Sequence, residues 1–76
     1  MREKSLQVVI TFHTTSAAMA MERLCRAQGL PGRLAPAPRD VTSDCGIAWC
    51  APARARTELE SLPGAPEFAG VYELLL

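Results

Sequence analysis

From residue 6 to residue 12 apolar and less apolar positions alternate: Leu6, Val8, Ile10 and Phe12 fall on one side, Gln7, Val9 and Thr11 on the other. A period of two predicts a strand with one strongly apolar face. Thr14, Thr15 and Ser16 then offer hydroxyl N-caps. Beyond them the period lengthens. Ala17, Ala20, Met21, Leu24 and Cys25 recur at the spacing of one helical face, and Gly29 supplies the stop. Residues 32–38 read as extended. Pro36 and Pro38 cannot donate to a ladder, which predicts a strand at the edge of its sheet. Residues 39–45 read as a polar turn and Gly46 to Cys50 as a short strand. Pro52 opens a second helix, with Ala55, Leu59 and Leu62 as its buried face and Pro63-Gly64 at its end. A loop of Gly, Ala and Pro leads to a last strand over 71–76.

Strand, helix, strand, strand, helix, strand predicts an α+β fold: a ferredoxin-like two-layer sandwich with an antiparallel four-stranded sheet. The usual strand order for that fold, 4-1-3-2, makes the first and third strands neighbours. His13 at the end of the first strand then shares one end of the molecule with the N-terminus of the first helix, the turn at Arg39 and the start of the third strand at Cys45. The second strand falls at an edge, in keeping with its prolines.

At 76 residues the chain is read as one domain, 1–76, without an internal repeat. A chain this short buries only about 60% of its unfolded surface, leaving a thin core and room for a shallow site at most. Eight basic and eight acidic residues cancel. That balance, with four aromatic residues and no basic stripe, argues against nucleic acid. The apolar runs are too short for a bilayer, and the N-terminal pattern lacks a signal peptide's apolar stretch. The reading is cytoplasmic, with no membrane contact. Three cysteines, an odd number, argue against a disulfide framework. With His13 the sole histidine and no C-x-x-C pair, neither a metal nor another cofactor is expected.

Cys45 follows a polar turn and precedes the apolar run Ile47-Ala48-Trp49. It sits at the mouth of a strand, where a thiolate can be reached, and is the candidate nucleophile. Arg39 and the amides of the first helix can favour the thiolate, and His13 can serve as base or hydrogen-bond partner. The carboxylate of Asp44 works against it. Gly46 leaves the backbone beside the sulfur unshielded. Each residue also has a plainer reading: Cys45 as a plug at a strand end, His13 as a turn residue, Arg39 as a solvated one, Trp49 as core. Cys25 lies on a buried helical stripe and reads as packing. Cys50 is five residues on from Cys45, roughly 16 Å along a strand, which excludes a disulfide between them.

Several segments together resemble a known family. They are Ile10-Thr11-Phe12-His13-Thr14-Thr15, the helix with Ala17, Met21 and Glu22, the turn Gly29-Leu30-Pro31-Gly32, and above all Pro38-Arg39-Asp40-Val41-Thr42-Ser43-Asp44-Cys45-Gly46-Ile47-Ala48. The chain resembles the bacterial selenium/sulfur carrier protein-like family over about residues 6–76. The resemblance implies a carrier more than a stand-alone enzyme. Sulfur or selenium would come from a cysteine desulfurase or a selenocysteine lyase, ride on Cys45 as a persulfide or perselenide, and pass to an acceptor protein whose identity stays open. Arg39 and Gly46 belong to the same motif; nothing carries over to Cys25 or Cys50. Three other readings stand beside it. One is a thiol-based redox or regulatory protein. Another is an interaction module, including a homodimer formed through an open sheet face of Val9, Thr11, Val71 and Leu75. The third is a metal chaperone, which would need two copies to gather enough soft ligands.

Overall fold

The computed structural model describes residues 4–39, 41 and 43–76. Residues 1–3, and Asp40 and Thr42 of the turn singled out above, lie outside them. The elements run β1 (Leu6–Phe12), α1 (Thr15–Gln28), β2 (Arg33–Pro36), β3 (Ile47–Pro52), a 3-10 turn (Ala53–Ala55) leading into α2 (Arg56–Glu60), and β4 (Phe68–Leu75). The sheet order is β2-β3-β1-β4, with each neighbouring pair antiparallel. This is the expected ferredoxin-like α+β sandwich.

Alternation along β1 sends Val8, Ile10 and Phe12 toward the helices, where they meet Trp49 and Ala51 of β3 in the main core. α1 begins at Thr14, whose hydroxyl accepts from the Ala17 N–H at 3.1 Å, satisfying one of the orphan donors of the first turn. It ends at Gly29, which adopts the left-handed conformation at φ 71°. Its buried stripe is Ala18, Met21 and Cys25, flanked by partly buried Ala17 and Leu24. Ala18 replaces Ala20 as the small residue at the centre of the contact. Ala55, Leu59 and Leu62 close the core from the second helical segment, as their spacing predicts.

The ends of three elements differ from expectation. Pro52 does not open a helix: it is the last residue of β3 and precedes the 3-10 turn. Its fixed φ, here −56°, is compatible with both conformations. Gly46 lies outside β3, at φ 76°. β4 starts at Phe68, three residues earlier than the apolar pattern suggests. Phe68 packs edge-on to Phe12, with ring centroids 5.8 Å apart at 84°. That contact continues the strand through Gly70, a residue whose weak strand propensity hides it in the sequence.

The sheet face away from the helices also differs. The register pairs Val9 with Cys50 on one side and Tyr72 on the other, and Gln7 with Leu74. Tyr72 and Leu74 therefore share this face with Val9 and Thr11. Val71 and Leu75, paired with Ile10 and Leu6, face the helices instead. A phase error of one residue in β4 exchanges its two faces. The turn after β2 adds a further difference. The Val41 N–H bonds the Pro38 carbonyl at 3.0 Å, and Val41, 8% exposed, packs with Val9, Ala48 and Cys50. One apolar residue in the polar turn thus covers part of a face expected to be open.

Two of the three thiols are buried, which makes stability depend on pH. Burial raises the Cys25 thiol above its ordinary value of 9.0. It does the same for Cys50, against a smaller opposing effect of the Arg33 charge. A raised acid holds its proton more tightly folded than unfolded. Its contribution is complete below the unfolded value and is lost as pH rises through the folded one. The melting temperature is therefore expected to fall above about pH 9. Thermal melts of wild type and Cys25→Val across that range test this, because the variant should show the smaller alkaline decline.

Candidate functional site

One end of the sandwich gathers the end of β1, the start of α1, the loop before β3 and the loop before β4. Antiparallel pairing of β1 with both β3 and β4 requires this, since the exit of β1 faces the starts of both neighbours. Cys45 sits here, partly exposed, two residues before the start of β3 and against the edge of the main core. Its thiol donates to the Ile47 carbonyl at 3.5 Å. The Ser43 hydroxyl donates to the same carbonyl at 3.1 Å and lies 3.8 Å from the sulfur. When the thiol loses its proton, the Ser43 hydroxyl is within reach to turn and donate to the thiolate.

His13 occupies the same end but does not bond Cys45. Its Nδ1 lies 2.9 Å from Asp44 Oδ2 and its Nε2 3.4 Å from Glu67 Oε2. With both ring nitrogens turned to carboxylates, His13 is a clamp on the loop that carries Cys45. A role as base toward the sulfur finds no support in this geometry. The clamp also engages the carboxylate expected to disfavour a thiolate, since Asp44 points its Oδ2 at the imidazole. Gly46 adopts φ 76°, and a Cβ built there would meet nothing within 4 Å. The glycine is needed for its backbone conformation. Its carbonyl accepts from the Ala37 N–H at 3.0 Å, which closes the β2–β3 hairpin. Arg39 lies in the turn and is exposed. Among the described residues no hydrogen bond or ion pair joins it to Cys45.

The structure thus brings Cys45, Gly46 and, through Asp44, His13 together. Among the described residues it joins Arg39 to the sulfur by no hydrogen bond or ion pair. Ser43 is the residue that sequence reasoning passed over. Its signal is faint: a hydroxyl two residues before the cysteine, in a turn already rich in polar residues. Replacing Ser43 by alanine is expected to slow alkylation of Cys45 at neutral pH roughly fivefold, the value of one hydrogen bond to the reacting group. The rate constant for iodoacetamide with wild type and variant measures it.

Cys25 is buried on α1 and Cys50 on β3, so neither shares this end with Cys45 in an exposed form. Among the described residues no cluster of three or more His, Cys, Asp or Glu side chains is placed to hold a metal ion. No helix among them is long and apolar enough to cross a membrane.

No curated protein and no solved structure matches the chain. A family model described as "Putative Se/S carrier protein-like" matches residues 7–65, which span β1 to the loop after α2 and include the whole Cys45 loop. The chain belongs to that Se/S carrier protein-like family.

Proposed function

We propose that this protein carries sulfane sulfur or selenium on Cys45, as a persulfide or perselenide, between a donor enzyme and an acceptor protein. The observation that carries the reading is that Cys45 alone of the three cysteines is partly exposed, while Cys25 and Cys50 are buried. The donor is a cysteine desulfurase or a selenocysteine lyase, whose own cysteine holds the terminal atom. The Cys45 thiolate attacks that terminal sulfur. A new S–S bond forms to Cys45, the donor's S–S bond breaks, and the donor cysteine leaves as a thiolate with the bonding pair. Nothing is oxidised or reduced overall. With selenium the terminal atom is Se and the bookkeeping is the same. An acceptor nucleophile later takes the terminal atom and releases the Cys45 thiolate. Rates follow thiolate fraction, leaving group and access.

Three features support this role. The partial exposure of Cys45 lets another protein's sulfur reach it. The Ser43 hydroxyl is placed to stabilise the departing or attacking thiolate. The His13 clamp draws the Asp44 carboxylate toward the imidazole. A neutral net charge suits docking to several partners with only modest electrostatic steering. Free thiols suit a reducing compartment such as the cytoplasm.

Incubation with a cysteine desulfurase and cysteine tests the reading. Wild type and Cys50→Ser should gain one sulfur atom by intact mass, reversibly with reductant, and Cys45→Ser should gain none. Equal loading of Cys45→Ser would overturn it.

A further inference from the structure

At the other end of β3, on the sheet face away from the helices, lies a pocket of about 410 Å³ that the carrier reading does not use. Cys50, Arg33, Ala35 and Gln7 line it, with Lys4 and Ser5 just before β1 and Leu76 just after β4. The register explains why these side chains meet. Arg33 on β2 is directly opposite Cys50, and Val9 on β1 is opposite it on the other side. Ala35 and Gln7, two positions along their strands from those partners, point to the same face.

The charged side chains of the lining are of one sign. Two cationic side chains, an amide and a hydroxyl converge, and among the described residues no carboxylate side chain lines the pocket. Cys50 is 5% exposed, and among the described residues no hydrogen bond engages its thiol. The Arg33 charge is close enough to oppose the effect of burial on that thiol. Lys4 and Arg33 are themselves exposed, so an incoming anion can reach both without crossing the core. A pocket of this volume also holds more than an inorganic ion, and Ala35 offers it an apolar wall.

We propose that this pocket binds a small dianion, its charged oxygens on Arg33 and Lys4 and its body against Ala35 and Cys50. The size and the apolar wall favour an organic dianion over an inorganic one. This site is separate from Cys45 and does not depend on the carrier reading.

An amide-resolved NMR titration of the full chain with succinate, and separately with inorganic phosphate, tests it. Saturable shifts confined to residues around Gln7, Arg33 and Cys50 are expected, at lower concentration with succinate. Arg33→Gln and Lys4→Gln replace exposed side chains and should leave the rest of the spectrum unchanged while weakening binding about tenfold each, the loss of one charge-assisted contact. Saturation by phosphate with the same localisation and the same loss in the variants would sustain the site and make its ligand inorganic. Shifts that never saturate with either probe, or binding indifferent to both variants, would overturn it.

Discussion

In the folded protein at mildly alkaline pH, iodoacetamide is expected to label Cys45 about a thousandfold faster than Cys25, with Cys50 between them. Two factors combine. Alkylation needs a thiolate that the reagent can touch. Cys25 is 0% exposed, and burial holds its thiol protonated, so it reacts only through openings that cost about 4 kcal/mol, within the range of local and global unfolding for a domain this size. Cys50 is 5% exposed beside an open pocket, and the Arg33 charge partly offsets its burial, so smaller openings suffice. Cys45 needs none. Peptide mapping after short labelling times gives the three rates, and adding denaturant should bring them together. Equal rates in the folded state would mean that the loop before β3 shields Cys45 as well as the core shields Cys25.

The largest effect on stability is expected at Gly32. Gly32 has φ 133°, and a Cβ built there would stand 2.5 Å from Trp49 Nε1 and 2.6 Å from its Cε2. Trp49 is 2% exposed, within the main core, and has little freedom to move aside. Gly32→Ala therefore combines a steric overlap with a backbone conformation that L-residues avoid, together about 3–5 kcal/mol. A chain of 76 residues has on the order of 4–11 kcal/mol in total. At roughly 4–8 °C per kcal/mol the melting temperature should fall by about 12 °C or more. Gly64→Ala is the control. It shares a positive φ, 78°, but a Cβ there meets nothing within 4 Å, so it should cost only about 1–2 kcal/mol. A fall no larger at Gly32 than at Gly64 would show that the indole yields.

What the sequence made legible follows the strength of each local signal. β1 was readable from Leu6 to Phe12 and the stop of α1 at Gly29, while three adjacent hydroxyl residues, Thr14 to Ser16, offered the N-cap that Thr14 fills. The strand order usual for this succession of elements, which the sheet adopts, places Cys45, His13 and Arg39 at one end. The start of β4 was hidden because Phe68 joins the sheet through a tertiary contact with Phe12, which no local pattern carries. The face assignment of β4 failed for a related reason. Val71 to Leu76 is apolar enough on both sides that alternation does not fix its phase, and pairing with β1 does. Within the site, Cys45 and Gly46 stood out by position. The partners of His13 did not, because Asp44 and Glu67 reach it from segments 31 and 54 residues away. Val41 was read with its polar neighbours; only the turn geometry shows that it covers Val9 and Ala48.

The central claim, that Cys45 bears the cargo, is tested most directly by finding the atom. The protein would be loaded with a cysteine desulfurase and cysteine, alkylated to trap any persulfide, digested and mapped by mass. The account predicts one additional sulfur on the peptide that contains Cys45 and none on those containing Cys25 or Cys50. An additional sulfur on the Cys50 peptide, with Cys45 unmodified, would contradict it and move the carrier site to the other end of β3.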